Sequence, residues 1–352
     1  MTHIISLEAY CCPPDISTRD ALARLNATEH VFQLVVRSDR QLLGTLTDGD
    51  IRRALLRGVS LDAPVSESMH EEFFSGHAGE DSKNRSLLSK DTRLLTFLPI
   101  LDPQGKIVKI LVGGGDSGIE RALVMAGGFG RRLGIQTREI PKPLLRVGGR
   151  PILDHILTNL EKSGVRDVYV SVHYHADQIS NFIEARENRA RIRIFEEVEP
   201  LGTAGVLGHL DDGSCAPILV INGDVITSVD LMALHDFHIR DGLDATIGVT
   251  RYDVEVPFGV VRCDADGLFS GIDEKPRISN FVAAGVYYLA ENFAALAVKG
   301  QPLDMPDLLN RGKQMGLKIG IFPIHEYWTD VGRPADLEAA DVDHSNGKYV
   351  NT

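Results

Sequence analysis

From residue 119 onward, apolar positions fall into two alternating periods. Ala122-Leu123-Val124-Met125 and Pro217–Ile221 are short unbroken apolar runs, the length and composition of buried strands. Asp167–Val172, Arg191–Phe195 and Ala245–Val249 read as further strands. Between them, Pro151–Lys162 places Ile152, Leu153, Ile156, Leu157 and Leu160 on one helical face, and Gly164 ends it. Ala176–Ala185, Thr203–Leu210 and Leu231–Ile239 read as helices too. Repeated strand–helix units predict an α/β fold: a doubly wound, mostly parallel sheet covered on both faces. Ligands of such sheets gather at the carboxyl ends of the strands.

The pattern differs before residue 119. Val31–Val36, a turn at Ser38-Asp39-Arg40 and Leu42–Leu46 make a strand–turn–strand unit. Leu98–Asp102, the turn Pro103-Gln104-Gly105 and Lys106–Val112 repeat the plan about sixty residues later, which predicts a paired small α/β module. The division expected is a module over 1–118 and the larger sheet domain over 119–345. The polar stretch Ser66–Asp91 is expected to be a mobile loop between the copies.

At 352 residues the chain is long enough for two such cores, and 43% hydrophobic and 24% charged residues are ordinary for a globular protein. A net charge of -12 argues against a nucleic-acid binder. No run is long and apolar enough for a membrane span, and the N-terminus lacks a secretory signal pattern, so no membrane partner and a cytoplasmic location are expected. Cys11, Cys12, Cys215 and Cys263 have neither metal nor disulfide spacing; Cys11-Cys12 reads as two small apolar residues in a reducing compartment.

The stretch Ala126–Ile152 carries the chemistry. Gly127, Gly128 and Gly130 force a tight turn after the first strand, with Arg131 and Arg132 next, so bare amide N–H groups and guanidinium charge meet an anion. Lys142 stands between Pro141 and Pro143, which are expected to hold its backbone extended and stiff. A dinucleotide fingerprint is excluded, because Leu133 stands where its third glycine belongs and Arg146–Arg150 has no ribose-binding acid. A phosphate-binding P-loop is excluded by the absence of Gly-Lys-Ser/Thr at the required spacing. His173 and His175 share a strand-end face but have no third metal ligand nearby, and His235 and His238 are expected on a helix surface.

In order and spacing, this stretch resembles the signature of the sugar-phosphate nucleotidyltransferases, GGxGxRL followed by PKPL and Gly-Gly-x-Pro-Ile. The resemblance covers nearly all of Ile119–Asp341 and implies site residues. Ala126, Gly127, Gly128, Gly130, Gly202 and Thr203 would bind nucleotide, with Thr203 doubling as a helix N-cap. Gly259, Glu274, Lys275 and Gly285 would bind the sugar phosphate; Ala283 replaces the family's usual asparagine, which leaves the sugar open. Asp224, just past a buried strand, and Asp330, in Trp328-Thr329-Asp330-Val331-Gly332, would hold Mg²⁺, the alternatives being a turn residue and a loop acid beside the only Trp. Arg132 and Lys142 would steady the phosphates while the sugar phosphate attacks in line. GTP is favoured by the layout, with UTP, dTTP and CTP left open.

In the N-terminal part, Gly44-Thr45-Leu46-Thr47-Asp48-Gly49-Asp50 resembles the ligand motif of cystathionine-β-synthase (CBS) domains. This implies Thr47 on a phosphate and Asp50 on a ribose of a regulatory nucleotide, against the simpler reading of Asp50 as the cap of a helix Ile51–Arg57. The second copy ends in Gly113–Asp116 without the threonine, so one such site is expected. The combined layout implies a homo-oligomer, a dimer or larger. Its rival is a regulatory sensor that binds nucleotide without reacting.

Overall fold

A computed structural model describes residues 3–90, 97–113, 118–128, 130–133, 136–210 and 216–349. A seven-stranded sheet is its centre, in the order Arg191–Glu196, Asp167–Val172, Arg121–Met125, Ile218–Asn222, Arg277–Leu289, Ala245–Glu255, Ile319–Pro323. All neighbouring pairs are parallel except those made by Arg277–Leu289, which runs against both of its neighbours. Alternation within a strand divides the core. Ala122 and Val124 join Ile152, Ile156, Leu160 and Ile179 on one face, while Leu123 packs with Val220, Tyr287, Phe293 and Leu308 on the other. The chain leaves Arg121–Met125 toward Asp167–Val172 on one side, and Ile218–Asn222 lies on the other. The glycine-rich loop therefore sits at the sheet's topological switch point.

The N-terminal repeat holds to the residue. Phe32 pairs with Thr47 and Val36 with Leu42, as Phe97 pairs with Val112 and Leu101 with Ile107. The two hairpins meet about a pseudo-twofold axis: the Leu42 N–H donates to Gly105 and the Ile107 N–H to Arg40, while the Phe32 and Phe97 rings stack 3.9 Å apart. Val112 stands where the first copy has Thr47, in keeping with one motif-bearing copy; Gly114, Gly115 and Asp116 lie outside the described residues.

Four expectations need correction. The stretch Ser66–Asp91 is not a loop throughout, for it contains the strand Gly76–His77 and the helix Asp81–Lys90. That helix has so few apolar residues that its periodicity was invisible; among its described side chains only Asn84 and Leu88 are buried, and Leu88 is the one apolar residue of the two. The helix after the CBS-like motif begins at Asp48 rather than Ile51, with Thr47 as its N-cap. The third correction concerns His235 and His238, which are buried against Tyr288 in the packed layer rather than lying on the surface. His238 Nδ1 shares a 2.9 Å hydrogen bond with the Thr246 hydroxyl. Fourth, Lys142 opens a one-turn 3₁₀ helix, Lys142–Leu144, instead of lying extended; a proline at its second position suits the turn because its φ is already helical. Cys12 is in the core as expected, and burial pushes both adjacent thiols up to about 11, so they are not thiolates at neutral pH.

Burial, then the neighbouring His235, pushes His238 down from 6.5 to about 4. The native state keeps it neutral where the unfolded chain would protonate it. Stability is therefore complete above pH 6.5 and falls as pH drops toward 4, by at most about 1.4 kcal/mol per pH unit from this group. Urea melts across that range should show the slope, and His238→Gln should flatten it.

Candidate active site

The strand Arg121–Met125 delivers the loop that follows it. The Ala126 N–H donates to Ser171, and Gly127 lies so close to Glu197 that a Cβ there would come 2.7 Å from its carboxylate. Gly130 adopts φ +62° and its carbonyl accepts the Thr137 hydroxyl. Among the described residues, no heavy atom beyond its chain neighbours lies within 4 Å of a Cβ built on Gly128, which leaves room beside its backbone for a ligand. Phe129 lies outside the described residues.

A second strand end brings the first carboxylate. The Gly223 N–H donates to the Met125 carbonyl, and a Cβ at Gly223 would sit 2.7 Å from that same oxygen. Only glycine allows the two strand ends to touch, and this contact sets Asp224 beside Ala126. From there Val225–Thr227 forms an antiparallel ladder with Trp328–Asp330, pairing Val225 with Asp330, and the Val331 N–H donates to the Asp224 carbonyl. Trp328 locks the ladder from below by donating its indole N–H to Ala284. Gly285, at φ +70°, packs against Asn222 and Val225 at the same spot. Two acids far apart in the chain thus become neighbours.

Lys142 completes the group. Its ammonium lies 2.5 Å from Asp224 Oδ2 and 3.7 Å from Asp330 Oδ1, and the residue is buried. Burial and the Asp224 charge push the Asp330 carboxyl up, against Lys142 and Arg132, which favour its ionised form. Asp224 Oδ1 and Asp330 Oδ1 are both buried and, among the described residues, have no hydrogen-bond donor. Two carboxylates gathered at one ammonium, each with an orphaned oxygen, are the kind of donor set a hard divalent cation takes, and Mg²⁺ needs no more than two from protein. Among the described residues there is no group of three or more metal-type ligands, so a transition-metal cage is not indicated here.

Other predicted residues lie elsewhere or do other work. Thr203 does not cap a helix of its own. The short 3₁₀ helix Gly205–His209 starts after Ala204, while the Thr203 hydroxyl accepts the Met305 N–H and caps the helix Met305–Gln314. Gly202, at φ +76°, fits because a Cβ would meet Asp304 and Leu303 at 2.7 Å. Gly259 and Glu274 lie together on an exposed arm, residues 256–276, in which Val260–Cys263 pairs with Phe269–Asp273, and Lys275 there has φ +47°. Among the described residues, no hydrogen bond or ion pair joins that arm to Lys142, whose partners are Asp224 and Asp330.

Sequence reasoning missed Glu197. The buried carboxylate accepts the Ser171 hydroxyl and the Leu201 N–H, and so ties the strand end, Gly127 and the Leu201–Thr203 loop together. It stands within Glu196-Glu197-Val198-Glu199, and nothing in that run tells which acid turns inward.

Residues 121–346 match the family model described as nucleotidyl transferase, and residues 2–57 match that of the CBS domain. The chain belongs to the nucleotidyl transferase family and carries a CBS domain at its N-terminal end. It is 33% identical over 225 residues to the mannose-1-phosphate guanylyltransferase catalytic subunit beta of Drosophila pseudoobscura pseudoobscura, covering 62% of this chain and 60% of that one. It is 32% identical over 226 residues to mannose-1-phosphate guanylyltransferase 1 of Arabidopsis thaliana, covering 61% and 62% respectively. The chain thus spans less than two thirds of the length of these relatives. The crystal structure of HddC from Yersinia pseudotuberculosis superimposes with a TM-score of 0.52 at 25% identity, over 64% of this chain and all of that one.

Replacing Gly223 by alanine should force the Met125 and Asp224 strand ends apart and cost about 1–3 kcal/mol through overpacking. Denaturant melts of Gly223→Ala check this; unchanged stability would contradict the close contact.

Proposed function

We propose that this chain transfers a nucleoside monophosphate from a nucleoside triphosphate, GTP in the first instance, to a sugar 1-phosphate, releasing pyrophosphate. The observation that carries the reading is Lys142 lodged against Asp224 and Asp330 beside the switch-point loop. The names of the relatives favour guanine and mannose 1-phosphate, with UTP, dTTP and CTP as competitors. Residues 119–345 would form the catalytic unit and 1–118 the regulatory or oligomerising one. The setting is nucleotide-sugar supply for surface glycans in the cytoplasm, and no helix among the described residues is long and apolar enough to cross a membrane.

A phosphate oxygen of the sugar phosphate is nucleophile enough to attack the α-phosphorus without a general base, so catalysis is positioning and charge stabilisation. The Gly127–Gly130 backbone would cradle the nucleotide, with Thr203 near its base or sugar by family likeness. Arg132, exposed at the loop, would hold the outer phosphates. Lys142 would leave Asp224 to stabilise charge on the α-phosphate. Glu274 and Lys275 on the arm, with Gly259 and Gly285, would receive the sugar and its phosphate. Asp224 and Asp330 would hold Mg²⁺, which when bound offsets charge on the departing pyrophosphate.

The cavity at the N-terminal part supports a second reading, a regulatory nucleotide. It measures about 380 Å³ and is lined by Thr47, Asp50 and Arg53, by Phe73 and Phe97, and by Arg240 from the transferase part. Asp50 accepts both the N–H and the hydroxyl of Thr47, at 2.8 and 2.6 Å, so both residues already serve the helix cap, and a ligand would have to share them. The two arginines and the aromatic walls suit a phosphate and a base.

Pyrophosphate release, assayed with each triphosphate against mannose, glucose, hexosamine and heptose 1-phosphates, tests the reaction, the base and the sugar together. Lys142→Ala should slow turnover by roughly 10²–10³ with the best pair, the loss seen for one preorganised donor. Unaltered turnover would remove Lys142 from the reaction, and no release with any pair would favour the sensor. In the Lys142→Ala background, GMP or AMP should still give a binding heat that Arg240→Ala weakens; no such heat would leave the N-terminal helix merely capped.

A further inference from the structure

Arg52 lies on the helix Asp48–Leu56 of the N-terminal part, yet every nitrogen of its guanidinium is committed, and two of the three reach the transferase part. It is wholly buried. Nη2 lies 2.7 Å and Nη1 3.2 Å from the Glu326 carboxylate, Nη1 also donates to the Pro323 carbonyl, and Nε lies 2.5 Å from Asp48. The guanidinium rests 3.8 Å over the Phe322 ring. Burial opposes the charge on all three ionic partners, but their mutual attraction wins: Asp48 and Glu326 are held below the usual carboxylate range and Arg52 above its own. A buried ion pair is rarely the best way to stabilise a core, since an apolar trio of equal volume often serves as well or better. What this cluster supplies is geometry.

That geometry leads to the carboxylates. Glu326 also accepts the His325 N–H at 3.0 Å and the Asp230 N–H at 3.4 Å. The next residue, Tyr327, offers its carbonyl to the Thr227 hydroxyl at 2.9 Å and to the Ser228 N–H. Trp328–Asp330 follows at once, already in register with Val225–Thr227. The Ile324 N–H donates to Val249, so the segment runs from the Arg52 clamp to Asp330 with each residue pinned on the way. Asp230, whose carboxyl burial and the Asp48 and Glu326 charges push up, adds a third acid to the cluster. Without Arg52, these acids would repel and Pro323–Tyr327 would have to move.

We propose that Arg52 is a positioning residue for Asp330, supplied to the transferase by its N-terminal part. The proposal rests on the reading of Asp330 as a metal ligand. Asp224 is set by the glycine contact at the switch point and Lys142 by the 3₁₀ turn at Pro141 and Pro143, so the loss of Arg52 acts on the metal and leaves phosphate binding largely intact. Arg53, the next residue, pairs with Asp241 at 3.1 Å and lines the cavity described above, so one helix joins that cavity to the carboxylates.

The test uses the full chain and Mn²⁺ as probe, its binding read by electron paramagnetic resonance in the presence of a non-hydrolysable GTP analogue. Arg52→Met should weaken Mn²⁺ binding by up to about 10-fold, the lower end of the loss for a direct support of a metal ligand, because Arg52 acts on Asp330 through Glu326 and the segment that follows it. The apparent KM for Mg²⁺ should rise in step while the KM for GTP at saturating Mg²⁺ stays within about twofold, and Arg52→Lys should restore part of the affinity. Glu326→Gln, which keeps the shape and the hydrogen bonds, should shift Mn²⁺ binding the same way by less, and decides the matter if Arg52→Met does not fold. Folded Arg52→Met, or folded Glu326→Gln in its place, with unchanged Mn²⁺ affinity would overturn the proposal. Asp330→Asn is the control: if it also leaves Mn²⁺ binding unchanged, the reading of Asp330 as a ligand falls, and this proposal with it.

Discussion

Two carboxylates held side by side with one buried ammonium between them is an arrangement that folding alone does not favour. Asp224 and Asp330 repel, each has a buried oxygen without a donor among the described residues, and one Lys142 ammonium faces two carboxylates. The group is left with net negative charge and unmet coordination, so it persists only if its supports over-determine it. Those supports are what the fold provides: a glycine contact between two parallel strand ends, an antiparallel ladder of three pairs, and a 3₁₀ turn fixed by Pro141 and Pro143. A cation and a polyphosphate would supply the charge balance that the protein withholds.

Much of this was legible because it is local chemistry. The glycine turn after a buried strand, the proline-flanked lysine and the acid just past a second strand all announce themselves in the sequence, and the structure brings Lys142, Asp224 and Asp330 together. The alternating elements likewise gave the wound sheet. What stayed hidden depends on distant contacts. Nothing local says that Glu197, and neither Glu196 nor Glu199, turns inward, or that Thr203 caps a helix a hundred residues away instead of its own. His235 and His238 look like surface residues until Tyr288 is placed against them. The helix Asp81–Lys90 escaped because its apolar face is too sparse for periodicity to show.

The junction between the two parts is the other feature that sequence could not disclose. Arg52 and Arg53 are adjacent in the CBS-like segment and look like an ordinary basic pair on a short helix. One is buried against Glu326 and the other reaches Asp241, so the helix is built into the transferase rather than tethered to it. Ion pairs of this kind specify an orientation even where they add little stability. A nucleotide bound at the N-terminal cavity would touch the same helix, which gives regulation a physical route to the carboxylates.

The central claim concerns what Asp224, Asp330 and Lys142 hold in common, and anomalous diffraction addresses it directly. Crystals grown with Mn²⁺ and a non-hydrolysable GTP analogue, recorded at the manganese edge, should show a peak within coordination distance of both carboxylates, with the Lys142 ammonium moved onto a phosphate oxygen. A manganese peak away from both acids, with Lys142 still paired to Asp224 and the nucleotide bound elsewhere, would contradict the account.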